Sequence, residues 1–361
     1  MKKIYFPNLD GLRFLAFFSI FFHHSIFSMY LDSEGIDIWI KYLIKPAGLG
    51  VPFFFCLSGF LITYLLLVER TSFGKIDIKR FYIRRILRIW PLYYLVILFG
   101  FFIFPFLKNF ILNESYIETA ALWKYVLFLS NFDQIEKGLP YAPGLGVTWS
   151  IAIEEQFYLF WPLLLTLVKP RFYFSACLIL FLFSILCTSY FHVPNIHALG
   201  SLKDLSLGGA LAVAAYNKVP FFERTTRISR LLIMFVYLLG VMHIYLFSLY
   251  GIGYRFLITI FMVFVIFEQC YCTNSFFKME SFKKISYLGT LTYGFYLLHT
   301  ISNFISHNFF KILTNQTNNP PYPYLQTILS LLLTFLLGFL SYEYFEKYFL
   351  RLKKKFSMLD K

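Results

Sequence analysis

The chain has 361 residues, of which 58% are hydrophobic and only 14% are charged, and its mean hydropathy is +0.65. Soluble globular domains carry roughly 25% charged residues, so a chain this long with so few charges excludes an ordinary soluble enzyme. The net charge of +14 could indicate a protein that binds nucleic acid. The basic residues, however, lie in short blocks between apolar stretches, as membrane topology signals do. We therefore expect a protein embedded in membrane lipids, with no nucleic-acid partner.

Apolar stretches recur along the whole chain and predict an all-α, polytopic transmembrane bundle of about ten spans, since roughly 20 residues cross a bilayer. The predicted spans are 10–30, 48–68, 89–107, 149–168, 172–191, 204–217, 231–249, 254–272, 286–306 and 324–345. The 204–217 span is short and rich in Gly and Ala, which suits either close packing or an irregular helix. Most Lys and Arg residues fall in the loops on the side of the N-terminus, so the positive-inside rule places both termini in the cytoplasm.

The sequence predicts one transmembrane domain over residues 1–350 and a short basic cytoplasmic tail over 351–361. The five cysteines lie in or beside apolar stretches and lack the spacing of a zinc site, so no metal site is predicted. No H-E-x-x-H, G-x-S-x-G or P-loop motif occurs. Metalloprotease, serine hydrolase and NTPase chemistries therefore lack their signatures.

The first predicted span carries polar residues that a bilayer disfavours, namely Asp10, Arg13, His23 and His24. Ionisable groups within a membrane are candidate functional sites. Arg13 and His24 are eleven residues apart, which places them on one helix face, about 16 Å apart along the axis. A neutral imidazole at this depth could act as a general base near neutral pH. The alternative is a structural histidine that bonds a neighbouring helix.

A basic segment, RFYIRRILRIWPLYY, leads into the third span and contains Arg80, Arg84, Arg85 and Arg88. If the segment is helical, Arg80, Arg84 and Arg88 share a face and Arg85 flanks it. Arginine forks suit phosphate groups because they combine charge with bidentate hydrogen bonds. The alternative is a topology anchor or a contact with lipid headgroups.

Two further motifs place polar groups at membrane depth. In WSIAIEEQFYLFWP, Glu154 and Tyr158 share a helix face, and Glu154 is a candidate to orient the imidazole of His24. The alternatives for Glu154 are a structural ion pair or a solvated position at the outer mouth. In SYLGTLTYGFYLLHT, Tyr293 and His299 reach the middle of the membrane. A structural role for His299 is favoured over a catalytic one.

These blocks together resemble the acyltransferase 3 family of membrane O-acyltransferases. The matching stretches are LDGLRFLAFFSIFFHH (9–24), GVPFFFCLSGFLI (50–62), FYIRRILRIWPLYYL (81–95), WSIAIEEQFYLFWP (149–162) and SYLGTLTYGFYLLH (286–299). They stand in the family's order and cover nearly the whole chain. Tyr348 departs from the pattern, because members often have Pro at this place after Glu-Lys.

The resemblance implies transfer of an acyl group, often acetyl, from cytoplasmic acyl-CoA to a hydroxyl of a cell-surface or lipid-linked carbohydrate, in a bacterial cytoplasmic membrane. It implies His24 as the catalytic histidine, with Glu154 as its catalytic partner. The implied donor-binding residues are Arg13, Arg84, Arg85 and Arg88, and the further candidates are Asp10, Ser58, Tyr158, Tyr293 and His299.

Some members carry a fused SGNH esterase-like domain, which we expect to be absent here. Two other classes of function stay open, a transporter or flippase of a lipid-linked sugar and a non-catalytic scaffold. Consumption of acyl-CoA separates the enzyme from both.

Overall fold

A computed structural model describes residues 5–28, 45–111, 115–250, 254–315 and 322–356. Across these ranges the chain forms helices and short connections, with no β-strand. Six of the described helical stretches are long and apolar enough to cross a membrane by length and composition. The fold is an all-α membrane bundle, as the sequence predicts; the count of ten spans and the orientation of the termini stay predictions.

The helices, numbered in chain order, are α1 (Pro7–His23), α2 (Gly50–Phe73), α3 (Ile78–Leu98), α4 (Leu122–Val126), α5 (Ser130–Lys137), α6 (Thr148–Leu167), α7 (Tyr173–Ser189), α8 (Ala198–Tyr216), α9 (Pro220–Thr225), α10 (Arg230–Tyr250), α11 (Arg255–Tyr271), α12 (Lys283–Thr290), α13 (Thr292–Thr314), α14 (Pro323–Ser341) and α15 (Lys347–Lys354). Helical turns of π type extend α3 as far as Ile111. Another π-type turn, Tyr342–Glu346, joins α14 to α15. Within the predicted tail, residues 357–361 lie outside the described part.

The helix α10 shows how the bundle meets its surroundings. Ile233 is fully buried, whereas Leu231 is 79% exposed and Leu238 is 66% exposed. A soluble protein rarely presents so large an apolar surface. The exposed side chains of α10 therefore suit contact with lipid tails.

Two predicted spans are divided in the structure. The first, 10–30, is interrupted because α1 ends at His23 and the chain turns at His24 and Ser25; its residues 29–30 lie outside the described part. The side chain of Asn303 donates a hydrogen bond to the backbone oxygen of His24 at 2.7 Å. This bond satisfies one of the carbonyl groups that a helix end leaves without a partner.

The other difference is in the 286–306 span, which divides at Leu291 into α12 and α13. The helix α12 packs closely on α1, since a Cβ atom at Gly289 would lie 1.8 Å from the backbone oxygen of Asp10. The sequence pattern did not reveal this division.

The crossing of α2 and α8 depends on two glycines. A Cβ at Gly59 would lie 1.9 Å from the backbone oxygen of Leu205, and a Cβ at Gly208 would lie 2.2 Å from that of Cys56. Small residues allow helix backbones to approach this closely in membranes. Of the two alternatives for the 204–217 span, close packing is confirmed, and the helix is regular and begins earlier, at Ala198.

We predict that Gly208→Ala destabilises the bundle, because the new methyl group would meet a backbone oxygen that cannot rotate away. Overpacking of this kind costs about 1–3 kcal/mol. Thermal unfolding of the purified protein in detergent measures the effect. Gly146→Ala is the matched control, since a Cβ there meets nothing within 4 Å. Equal unfolding temperatures for the two variants would contradict the observed crossing.

Candidate active site

A cavity of about 300 Å³ lies among α1, α2, α3, α6 and α13. Its lining includes every predicted site residue except His24, His299 and Arg84. The predicted residues that line it are Asp10, Arg13, Ser58, Arg85, Arg88, Glu154, Tyr158 and Tyr293. The tertiary structure thus gathers side chains from five helices that are far apart in sequence.

Three arginines, Arg13, Arg85 and Arg88, line this cavity. Arg13 is paired with Asp10, with 2.5 Å between Nη1 and Oδ1. The guanidinium of Arg85 lies 5.6 Å from the ring centre of Tyr158, and its buried Nε has no hydrogen-bond partner among the described residues. Arg88 is exposed. An unpaired buried donor beside an exposed arginine suits an anionic ligand.

Arg84 does not join this group. Its Nη2 lies 2.7 Å from Oε2 of Glu69, a carboxylate whose side chain is only 2% exposed, and its Nη1 donates to the backbone oxygen of Phe356 at 3.1 Å. The shared helix face predicted for Arg84 and Arg88 does not bring Arg84 to the cavity. The guanidinium of Arg84 thus neutralises a buried carboxylate outside the cavity, and its role in donor binding stays a prediction.

Glu154 is at the centre of a polar network on the cavity wall. It accepts hydrogen bonds from the hydroxyls of Ser58, at 2.9 Å, and Tyr158, at 2.7 Å. The structure does not pair Glu154 with His24 as the sequence predicts. The nitrogen Nδ1 of His24 instead has His299 as its partner. Glu154 therefore fixes the wall of the cavity and does not orient the imidazole of His24.

The partner of His24 is His299, with 3.0 Å between Nδ1 of His24 and Nε2 of His299. His299 is fully buried, and its own Nδ1 lies 2.6 Å from the backbone oxygen of Tyr296. A carbonyl oxygen only accepts, so Nδ1 of His299 must donate, and its Nε2 in the neutral ring must accept from His24. This chain of bonds leaves Nε2 of a neutral His24 as an unprotonated base.

Tyr296 connects the histidines to the cavity. It belongs to the cavity lining, and the centre of its ring lies 5.8 Å from that of His299. Its hydroxyl lies 2.7 Å from the hydroxyl of Ser150, which also lines the cavity. The imidazole pair thus lies just beyond one end of the arginine-lined cavity.

The acyltransferase 3 family model, described as an acyltransferase domain, matches residues 6–343. This chain belongs to the acyltransferase 3 family. The match covers α1 to α14 and includes the arginine-lined cavity and both histidines of the imidazole pair. Family membership and the helical bundle together make it an integral membrane protein.

Three relatives illustrate the similarity within the acyltransferase 3 family. Peptidoglycan O-acetyltransferase OatA of Listeria monocytogenes is 30% identical over 82% of this chain and 49% of its own length. O-acetyltransferase OatA of Staphylococcus aureus is 29% identical over 95% of this chain and 57% of its own length. Putative peptidoglycan O-acetyltransferase YrhL of Bacillus subtilis is 28% identical over 95% of this chain and 54% of its own length.

This family member therefore spans about half the length of the curated relatives it matches. No solved structure matches the chain significantly.

Sequence reasoning passed over Ser150 and Asn303. Asn303 contacts the backbone of His24, and its Oδ1 accepts a hydrogen bond from Ser330. The signal was present, since Asn303 follows His299 by four residues and so shares its helix face. A polar stripe on an otherwise apolar helix marks the face that contacts another helix.

We predict that Arg84→Gln lowers stability by about 3–5 kcal/mol, because it leaves the buried carboxylate of Glu69 without its cation. Thermal unfolding in detergent should show partial recovery in the double variant Glu69→Gln/Arg84→Gln. Arg88→Gln, at an exposed arginine on the same helix, is the control and should change the unfolding temperature little. An unchanged unfolding temperature for Arg84→Gln would show that Glu69 does not depend on Arg84 and would favour a ligand-binding role for Arg84.

Proposed function

We propose that this protein is a membrane-embedded O-acetyltransferase that moves an acetyl group from acyl-CoA to a hydroxyl of a cell-surface or lipid-linked carbohydrate. Membership in the acyltransferase 3 family and the O-acetyltransferase names of its relatives support the reaction class. The single observation that carries the proposal is the imidazole pair at the end of an arginine-lined cavity. A bacterial cytoplasmic membrane is the proposed location.

The acceptor that we propose is a hydroxyl of a surface glycan of the peptidoglycan class. Two of the relatives are named as peptidoglycan O-acetyltransferases, one of them as putative. This chain spans about half of their length. Its acceptor is therefore proposed from the names of these relatives and has to be measured on this protein.

The cavity suits the donor that we propose. Arg85 and Arg88 would hold the phosphates of acyl-CoA, since one is exposed and the other has a buried donor without a partner. Arg13 lines the same cavity, on the helix that ends at the catalytic histidine. The apolar part of the lining, including Phe54 and Leu61, suits the uncharged pantetheine arm.

His24 acts as the general base in this proposal. Its Nε2 removes the proton from the acceptor hydroxyl as that oxygen attacks the thioester carbonyl carbon. A carbon–oxygen bond forms, the carbon–sulfur bond breaks, and the imidazolium returns the proton to the leaving thiolate. His299 accepts from Nδ1–H of His24 throughout, so the imidazole keeps one orientation. The carbonyl groups at the end of α1 also favour the positive charge that His24 acquires.

We predict that His24→Ala abolishes acetyl transfer while the protein still folds. General base catalysis contributes about 10²- to 10⁴-fold, so little activity should remain. Mass spectrometry of surface glycans from cells with wild type, deletion and variant genes gives the readout, and release of CoA in membrane vesicles reports the donor.

His23→Ala is the matched control, because His23 is the exposed neighbour of His24 and should be dispensable. Acetylation that persists in His24→Ala would refute the mechanism. Unchanged acetylation in the deletion strain, with glycan export lost, would favour the transporter.

We predict that His299→Leu lowers kcat by about 10²-fold or more, because Nδ1–H of His24 loses its acceptor and the ring loses its preferred orientation. His299→Gln should retain more activity, since its side-chain oxygen can accept the same hydrogen bond. The KM for acyl-CoA should stay constant in both, and the rising limb of the pH–rate profile should shift. Equal losses in the two variants with an unshifted profile would indicate a purely structural residue.

A further inference from the structure

A second concave site lies at the opposite end of α13 from the arginine-lined cavity. It has a volume of about 320 Å³, and we call it the lysine pocket. The lining combines cationic groups with aromatic rings. The residues that matter here are Lys108, Tyr116, Tyr141, Phe304, His307 and Lys311.

The position of the lysine pocket follows from the course of α13. Tyr296 lines the donor cavity near the start of this helix, and His307 lines the lysine pocket eleven residues later. Eleven residues of α-helix rise about 16 Å. His299 lies between them along the helix. In the predicted topology, the lysine pocket is on the outer side of the membrane.

The walls of the lysine pocket are held in place by specific bonds. The backbone N–H of Tyr116 donates to Oδ1 of Asn109 at 2.7 Å, and the hydroxyl of Tyr116 donates to Glu118 at 2.5 Å. Glu118 also accepts from the backbone N–H of Ala142, the residue next to Tyr141, at 2.9 Å. One carboxylate therefore ties together the two loop segments that carry the tyrosines.

Aromatic contacts form the base of the same pocket. The ring of Phe104 lies 4.9 Å from that of Tyr116 and 5.0 Å from that of Phe304. The ammonium of Lys108 lies 5.6 Å from the ring centre of Phe304. The lysine is thus placed against an aromatic surface that lines a concave site.

The chemistry of this lining selects for a particular class of ligand. Ammonium groups bind carboxylate or phosphate by charge-assisted hydrogen bonds. Aromatic rings supply flat apolar surface with polar edges, which suits the face of a sugar ring. Glu118 lies behind the wall, where it accepts hydrogen bonds from the hydroxyl of Tyr116 and from two backbone N–H groups.

We propose that the lysine pocket binds an anionic carbohydrate, namely a sugar unit that carries a carboxylate or phosphate. Its place in the reaction rests on the proposed function: it holds a charged part of the acceptor beside the unit that is acetylated. The pocket does not hold the reacting hydroxyl itself, because it is formed by α13 with the end of α3 and the loops, whereas His299 contacts α1. Charged acceptors should therefore be preferred over neutral ones.

The test is binding to the full chain in phosphatidylcholine nanodiscs without any acyl donor, so that no transfer occurs. The probes are the disaccharide GlcNAc–MurNAc, which has a free carboxylate, and chitobiose, a neutral disaccharide of similar size. We expect GlcNAc–MurNAc to bind about tenfold or more tightly than chitobiose, with a preference that falls at high salt. Lys108→Gln/Lys311→Gln should remove that preference, whereas Lys169→Gln, an exposed lysine outside the pocket, should keep it.

Tyr141→Ala provides a second variant that spares the fold, because this side chain is 70% exposed. It should weaken both disaccharides by removing a ring from the wall. Equal binding of the two disaccharides, or a preference unchanged in the lysine double variant, would overturn the proposal. Loss of disaccharide binding in nanodiscs containing phosphatidylglycerol would also overturn it, by assigning the pocket to lipid phosphate. Because binding is measured without a donor, the result does not depend on whether the protein transfers acetyl groups.

Discussion

The hydrophobic effect does not hold transmembrane helices together, because lipid tails are as apolar as the side chains between the helices. Association depends instead on close backbone contact and on polar bonds inside the bundle. Both are present here: Gly59 and Gly208 let α2 and α8 touch through their backbones, and His24 is bonded to α13 through His299 and Asn303. Some of the bonds that assemble the bundle, namely those of His24 to α13, are therefore also bonds that build the candidate site.

This constraint explains why the buried ionisable residues divide into two groups. Glu69 and Arg84 neutralise each other, as do Asp204 and Arg255, so each pair contributes to the bundle without being available to a ligand. In contrast, the buried Nε of Arg85 has no partner among the described residues. An arginine that the fold leaves partly unsatisfied is a stronger indication of a ligand than the number of arginines in a motif.

The imidazole pair lies between two sites of different character along α13. The cavity toward the start of the helix is lined by arginines, whereas the pocket toward its end is lined by lysines together with aromatic rings. In the proposed reaction, the donor and the acceptor approach from opposite sides of the membrane, and this arrangement puts the base between them along α13. The proposed reaction therefore does not require the bundle to transport a whole substrate across the membrane.

The sequence by itself determined the all-α membrane fold, since hydropathy and helix period are local properties, and it determined the family through five motifs in order. It also singled out every charged residue that lines the cavity, because a charged side chain in an apolar span is conspicuous. Only the tertiary structure decided their partners: it paired Arg84 with Glu69, and it gave His24 a histidine instead of Glu154. Sequence patterns cannot supply this information, because contacts between helices depend on how each helix is rotated and shifted against its neighbours.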